Sequence, residues 1–204
     1  MIHITQKNIS EIWVAYLKVI LKTGVWVDDD REMVFESQPI FFEISDFYDK
    51  NNLIEKYGDK KTIEIYTKKM YSMEIIKELN STYGDRIFNN LGTDQFKWAV
   101  NKLRLNSFAK SCFIPLVIPN DPGPRIPCLS AIQIAIRKDK LNVYCTFRSQ
   151  NALNSYANFI GIRSLQTMFA KELNVDVGSA FIHVNFPHIY KSDIEKSTMV
   201  AQQI

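Results

Sequence analysis

Three apolar runs that follow one another closely set the strongest limit on what this chain can fold into. They are "FIPLVIP" (113–119), "LSAIQIAI" (129–136) and "LNVYCTFR" (141–148). A segment that contains Pro and Gly (119–127) separates the first two, and the charged sequence "RKDK" (137–140) separates the last two. Short runs that are rich in β-branched and aromatic residues and bounded by turn formers are typical of β-strands. The middle of the chain therefore predicts three strands of a sheet.

Helical patterns lie before and after these strands. At the start of the chain, Asn8 and Glu11 form a helix N-cap pair, apolar residues follow at spacings of three and four, and Gly24 ends the pattern. Apolar residues on one side of a helix mark the face that packs on a core. Similar patterns predict three further helices, at 66–80, from a Thr93 cap through Leu103, and at 153–173.

The remaining patterns complete the expected fold. "PIFFEI" (39–44) and "SAFIHVNF" (179–186), which follows Gly178, predict strands, and the polar stretch at 48–61 predicts an exposed excursion. Strands and helices do not alternate as they would in a parallel βαβ fold. The order favours an α+β fold, with helices outside a largely antiparallel or mixed sheet. A chain of 204 residues is long enough for one well-buried domain, which we place at 1–204.

Composition narrows the possible partners and compartments. No stretch approaches the roughly 18 apolar residues of a membrane span, and Glu11 and Lys18 interrupt the apolar start, so no membrane partner is expected. The net charge of +3 is small and its Lys and Arg residues are scattered, which argues against a nucleic-acid partner but suits a small anion such as a nucleotide phosphate. The three cysteines have neither disulfide nor metal-site spacing. We therefore predict a cytoplasmic protein with no metal.

Cys128 is the residue at which packing and chemistry have to be weighed. A lone cysteine at the edge of a strand is most often a small buried hydrophobic residue. However, period-two alternation along 141–148 places Tyr144, Thr146 and Arg148 together on one face of their strand. If that strand pairs with the one after Cys128, the Arg148 guanidinium can hold a substrate phosphate and favour the thiolate that a nucleophilic cysteine requires.

Several motifs, in this order, resemble thymidylate synthase. "IPCLSAIQ" is similar to that family's P-P-C-H-x-x-x-Q, "FRSQN" to its Q-R-S-x-D, and "HVNFPHIYKSDIE" to its G-D-x-H-[IL]-Y-x-N-H. Earlier in the chain, "STYGDRIFNNLGTDQFKWAVNKL" is similar to its Y-G…D-Q…L segment and "TKKMYSMEIIKE" to its T-K-R…I-I-x-E run. The resemblance extends from about Tyr83 to Glu195.

The resemblance implies a pyrimidine nucleotide site. It implies that Cys128 is the nucleophile that adds to ring carbon 6, that Glu78 organises water and assists proton transfer, and that Asn158 reads uracil rather than cytosine. The other residues that it assigns are Arg148, Ser149 and Lys110 for phosphate, His188 and Tyr190 for the sugar hydroxyl, and Asn151 for folate. The implied cofactor is methylenetetrahydrofolate, and the implied assembly is a homodimer with sheets packed back to back. Considered without the family, Asn158 is also a candidate helix cap.

Departures from the family pattern leave alternatives open. Lys110 and Ser111 stand where the family has paired arginines that reach across the dimer, and Asn151 stands where it has an aspartate. The chain after Glu78 is too short for the family's small inserted domain, as in short members and pyrimidine hydroxymethylases. A methyl or hydroxymethyl product, a cytidine-type substrate, a nucleoside pathway, and a binding protein that has lost the reaction all remain open. Glu74 is the alternative to Glu78 as the pocket carboxylate.

Overall fold

A mixed β-sheet forms the centre of the molecule. The structure, a computed structural model, describes residues 1–29, 32–45, 52–77, 82–118, 121 and 126–203. Within these residues the sheet has eight strands, in the order β1-β4-β8-β7-β6-β5, with β3 also pairing with β8 and β2 pairing with β3. The strands are β1 (Ile2–Gln6), β2 (Val25–Asp28), β3 (Met33–Glu36), β4 (Ile40–Ile44), β5 (Phe113–Pro115), β6 (Leu129–Arg137), β7 (Lys140–Asn151) and β8 (Asp176–Tyr190).

The strand directions confirm the expected α+β class. Among the described pairings, β1 with β4 and β7 with β8 are parallel, and the other five are antiparallel. The "RKDK" sequence forms the predicted turn between β6 and β7. There Lys138 and Asp139 have φ angles of 52° and 57°, which are the left-handed values that a tight two-residue hairpin requires.

The helices confirm the predicted pattern in part. They are α1 (Ile9–Thr23), α2 (Leu53–Tyr57), α3 (Lys60–Tyr71), α4 (Gly84–Phe88), α5 (Gln95–Leu105), α6 (Ser155–Leu173) and α7 (Ile194–Ala201). The first helix begins and ends as predicted, because the Glu11 N–H donates to Asn8 Oδ1 at 2.9 Å and the Gly24 N–H to the Ile20 carbonyl at 2.8 Å. No helix in the described part of the chain is both long and apolar enough to cross a bilayer.

The core lies between the helices and one face of the sheet. Along β7, Leu141, Val143, Cys145 and Phe147 are buried, whereas Tyr144 between them is 37% exposed, which confirms the predicted alternation. Aromatic rings join the layers: Tyr16 of α1 packs edge-on against Phe42 of β4, which packs edge-on against Phe159 of α6. The opposite face of the sheet has no helix packed on its central strands among the described elements.

The segment before residue 72 differs from the prediction. The predicted exposed excursion at 48–61 is confirmed in part. Most of its described residues are exposed, but it contains the short helix α2, whose Leu53 and Ile54 are buried, and residues 48–51 lie outside the described residues. The next helix begins at Lys60 because the Asp59 carboxylate accepts from two N–H groups of its first turn. It ends at Tyr71, earlier than predicted, and residues 78–80 of the predicted helix lie outside the described residues.

Three other bounds also differ. The cap of α5 is Asp94, not Thr93, since the Asp94 carboxylate accepts from the Lys97 N–H at 2.9 Å. Strand β8 begins before Gly178 and continues through Pro187 to Tyr190, because it pairs with β7 at its start and with β3 at its end. Most of the predicted turn at 119–127 lies outside the described residues.

Candidate active site

Cys128 lies where β6 begins beside the end of β7. The Arg148 N–H donates to the Cys128 carbonyl at 2.8 Å, which shows that the two strands are neighbours, as the sequence reading required. The Cys128 side chain is half-buried, and its Sγ lies 4.0 Å from Ser149 Oγ. The thiol is therefore accessible and next to two of the predicted site residues.

The Arg148 guanidinium lies over the same strand ends. Its Nη2 donates to the Ile126 carbonyl at 2.9 Å and its Nη1 to Ser149 Oγ at 3.4 Å. A guanidinium has five N–H donors, so these two bonds leave donors with which the exposed group can bind an anion. Cys128, Arg148 and Ser149 thus form one cluster.

His188, on β8, lies beside Asn151 on the neighbouring strand β7. The two residues are partners in the parallel β7–β8 register, and the Ala152 N–H donates to the His188 carbonyl at 2.8 Å. His188 Nδ1 is 3.1 Å from the Phe186 carbonyl, which can only accept, so Nδ1 carries the proton in the neutral ring. Nε2 is then an acceptor, and it is buried without a hydrogen-bond partner among the described residues.

Burial lowers the pKa of His188. The Phe186 carbonyl and the charges of Asp29 and Asp193 act in the opposite direction, whereas the charge of Arg148 lowers the pKa further. The imidazole is therefore neutral near pH 7, with a free acceptor nitrogen and with the Arg148 charge within electrostatic reach.

Tyr190 lies beside His188 on the last strand. The two ring centroids are 5.0 Å apart with the rings nearly perpendicular. Burial raises the pKa of Tyr66 to about 12, with smaller contributions from Cys128 and then Tyr190. Tyr66, on α3, is thus within electrostatic reach of both the thiol and the residues at the end of β8.

Asn151 is engaged with a carboxylate. Its Nδ2 donates to Asp193 Oδ2 at 2.7 Å, and its Oδ1 accepts from the Leu153 N–H at 3.1 Å. The carboxylate that the sequence lacks at position 151 is therefore present beside it, supplied by the segment that follows β8. Sequence reasoning missed Asp193, although "KSDIE" places an acidic residue directly after the last motif.

Asn158 and Lys110 are not hydrogen-bonded to the cluster among the described residues. Asn158 is buried in the first turns of α6, whose N-cap is Asn154, so Asn158 is not the cap. Lys110 is exposed between α5 and β5, where its carbonyl accepts from the Gln133 side chain. Within one chain, no hydrogen bond between described residues joins either side chain to Cys128 or Arg148.

The predicted pocket carboxylate has two candidates. Glu78 lies outside the described residues. Glu74, the alternative, is exposed in the turn after α3, where its N–H donates to Ser72 Oγ at 3.1 Å. The role of Glu78 stays a prediction.

Lys69 and Tyr83 are site neighbours that sequence reasoning missed. Lys69 is buried in the last turn of α3, with its Nζ 4.2 Å from the centroid of the Tyr83 ring. The Tyr83 hydroxyl accepts from the N–H of Leu129, the residue after Cys128, at 3.3 Å. A spacing of three residues from Tyr66 puts Lys69 on the same side of the helix, and this was the available signal.

Gly84 allows α3, which carries Lys69, to contact the start of α4, which directly follows Tyr83. A Cβ at Gly84 would lie 2.4 Å from both the Ser72 carbonyl oxygen and the Tyr71 carbonyl carbon, which are backbone atoms at the end of α3. The start of α4 therefore approaches the end of α3 more closely than any side chain permits.

Comparison with known proteins gives a consistent result. A protein-family model described as "Thymidylate synthase" matches residues 5–204. Three curated relatives are each named "Putative thymidylate synthase". The one from Methanosarcina mazei is 26% identical over 195 residues, covering 93% of this chain and 90% of the relative. Those from Methanosarcina barkeri and Methanocaldococcus jannaschii are both 27% identical, over 192 and 205 aligned positions, covering 92% and 93% of this chain and 88% and 91% of the relatives.

Proposed function

Because the chain belongs to the thymidylate synthase family, we propose that it transfers a one-carbon unit to carbon 5 of a pyrimidine nucleotide. The resemblance inferred from its motifs is thereby confirmed. The observation that carries the proposal is the cluster at the end of β7, where an accessible thiol lies 4.0 Å from Ser149 Oγ and beside the Arg148 guanidinium. A nucleophile next to a phosphate-binding group is what covalent activation of a nucleotide base requires.

Cys128 begins the reaction in this proposal. Its thiolate adds to ring carbon 6, so that a C–S bond forms and the electron pair of the 5,6 double bond moves toward carbon 5 and the 4-oxygen. Carbon 5 then becomes nucleophilic and forms a bond to the one-carbon unit. Its hydrogen must afterwards leave as a proton, and elimination then breaks the C–S bond and releases Cys128. Glu78 is the residue that we propose for organising that proton transfer.

Arg148 and Ser149 hold the phosphate, and His188 orients the sugar. The neutral His188 ring offers Nε2 as an acceptor with no partner in the described part of the chain, and a sugar hydroxyl is a fitting donor. Tyr190 lies beside it and supplies a second hydroxyl contact. The buried Asn158 amide pairs with the base, because an amide can both donate to a 4-oxygen and accept from a ring N–H, which favours a uridine-type substrate.

The polar side chains near Asn151 suit a folate-type cofactor. A pterin ring presents N–H and amino donors, and the Asp193 carboxylate beside Asn151 is a suitable acceptor for them. Asn151 and Asp193 would hold the cofactor, which supplies the one-carbon unit when bound. The choice between a methyl and a hydroxymethyl product depends on whether water reaches the base.

We also propose that the active form is a homodimer. A row of rings crosses the sheet on the face without helices: Phe41 stacks at 6.3 Å on Phe181, which stacks at 5.0 Å on Tyr144. Phe113, on the edge strand β5, is 50% exposed. Apolar rings gathered on one open face are typical of a protein interface. Pairing there would bring Lys110, which is remote from Arg148 in its own chain, to the partner's phosphate site.

Tritium release tests the reaction. A pyrimidine nucleotide labelled with tritium at carbon 5 loses the label to water once Cys128 has added to carbon 6 and the proton has left. We expect Cys128→Ser to lower the release rate by at least about a thousandfold, since it removes the nucleophile. Cys112→Ala removes a buried thiol beside α5 and should keep the activity. Full release by the Cys128→Ser variant would refute the proposal.

Calorimetric titration with deoxyuridylate, uridylate and cytidylate separates an enzyme from a binding protein. An enzyme should bind one of the first two and exchange its tritium. Tight binding without exchange for every nucleotide would show that the chain binds nucleotides and does not carry out the reaction.

A further inference from the structure

Lys69 is a charged side chain with unusual surroundings. Only 6% of the residue is exposed, and its Nζ lies 4.2 Å from the Tyr83 ring centroid and 5.9 Å from that of Tyr66. In the described part of the chain, no carboxylate lies within ion-pair distance of it. Lysine is rarely buried without a partner because desolvation of an ammonium is costly. Such a residue is therefore expected to serve a function.

The backbone fixes the position of Lys69 relative to the cysteine. The Lys69 carbonyl accepts from the Tyr83 N–H at 2.8 Å and from the Thr82 hydroxyl at 3.2 Å. The Tyr83 hydroxyl in turn accepts from the Leu129 N–H, directly after Cys128. One tyrosine thus connects the lysine to the strand start that carries the thiol.

The charges around Lys69 point to the same partner. Burial lowers the pKa of Lys69 to about 8, the negative charge of Cys128 raises it, and the positive charge of Arg148 lowers it. The other titratable groups that face Lys69 are Tyr66 and Tyr83, and burial raises the pKa of both, so they are neutral near pH 7. Among the described groups, the Cys128 thiolate is the anion that the ammonium can stabilise.

We propose that the Lys69 ammonium, held against the rings of Tyr66 and Tyr83, stabilises the thiolate of Cys128 and so acts as a positioning residue for the nucleophile. The proposal rests on the function proposed above for Cys128. A second cation is useful because Arg148 has two proposed roles, to bind the phosphate and to favour the thiolate. Once a phosphate dianion occupies the guanidinium, its charge offsets that of Arg148 and disfavours a nearby thiolate. Lys69, which lies against Tyr66 and Tyr83 and is not among the proposed phosphate-binding residues, remains to favour it.

Alkylation of the free protein by iodoacetamide tests this proposal. The thiolate sulfur displaces iodide and forms a thioether at Cys128, which peptide mass spectrometry locates and quantifies across neutral and alkaline pH. We expect Lys69→Met to slow alkylation at least severalfold near neutral pH, because it removes a positive charge that favours the thiolate over the thiol. Lys69→Arg, which keeps the charge, should retain most of the reactivity.

Lys68→Met is the matched control, since it removes an exposed lysine from the same helix turn and should leave alkylation unchanged. Circular dichroism and thermal unfolding check that each variant folds. The proposal would be overturned if Lys69→Met were alkylated as fast as the wild type, or if Lys68→Met were slowed as much as Lys69→Met. A folded Lys69→Arg as slow as Lys69→Met would also overturn it, because packing rather than charge would then set the reactivity.

The two proposals fail in different ways. Alkylation needs no nucleotide, so it reports on the thiol whether or not tritium is released. Tritium release by Cys128→Ser would refute the reaction, whereas unchanged alkylation in Lys69→Met would refute only the role of the lysine.

Discussion

At the scale of single residues, His188 links the site to the stability of the protein. Burial holds the pKa of His188 below its ordinary value of 6.5, so the folded chain binds a proton there less readily than the unfolded chain does. The stabilising effect is fully present above pH 6.5 and is lost as the pH falls through the pKa of the folded state.

We therefore expect the free energy of unfolding to decrease between neutral and mildly acidic pH through this one group. His188→Gln, which keeps a donor for the Phe186 carbonyl but cannot titrate, should show a smaller decrease. Denaturant unfolding of both proteins over this pH range measures the difference. Identical pH profiles would show that His188 is not held neutral by the fold.

The site residues differed in how far the sequence could predict them. Cys128, Arg148 and Ser149 lie together because the short hairpin between β6 and β7 pairs two strands that are adjacent in the sequence, and their roles stay a prediction. Lys69 was missed, since its burial depends on a contact with Tyr83, which lies in another element and in no local pattern. Asp193 was missed because its partner, Asn151, is 42 positions away in the sequence.

At the scale of the elements, α3 and α4 approach each other very closely at Gly84. A Cβ at Gly84 would meet backbone atoms at 2.4 Å, and backbone cannot move aside as a flexible side chain can. We expect Gly84→Ala to lower the free energy of unfolding by at least about 2 kcal/mol, and to displace Tyr83 from Lys69.

Gly92→Ala is the control for this substitution. Nothing lies within 4 Å of a Cβ at Gly92, where the φ angle of +87° alone disfavours alanine, so the loss there should be smaller, about 1 kcal/mol. Thermal and denaturant unfolding give both values. A Gly84→Ala variant as stable as the wild type would show that the two helices can separate at little cost.

The bounds of an element could be predicted where the interactions that fix them are local in the sequence. Helix α1 was predicted to the residue because its cap pair and its glycine stop are both local. Helix α3 was misplaced because Asp59, its true cap, lay inside a stretch that polarity alone marked as exposed. Strand β8 was predicted too short because its ends are fixed by pairing with β7 and β3, whose registers the sequence does not state.

At the scale of the whole molecule, the open face of the sheet is the surface through which we propose that two copies pair. We expect the protein to sediment as a dimer and Phe181→Glu to sediment as a folded monomer, because a charge among stacked rings cannot be buried without a partner. Loss of such a contact weakens an interface by roughly 2 kcal/mol or more. If Lys110 crosses between chains, the monomer should also bind nucleotide more weakly.

Leu105→Glu provides the control for that experiment. Leu105 is 90% exposed at the end of α5 and does not belong to the sheet, so its substitution should leave the dimer intact. A wild-type protein that sediments as a monomer, or a Phe181→Glu variant that remains a dimer, would show that the ring-lined face is not the contact between copies.

Pairing of two copies through the row of rings, as proposed, would also have a genetic consequence. A cell that makes both normal chains and chains with an inactive Cys128 would form mixed pairs, and each pair would keep one complete site, so output would decline gradually with gene dose. A chain that has lost its rings would instead drop out of pairing altogether, and the normal chains would be left to combine among themselves.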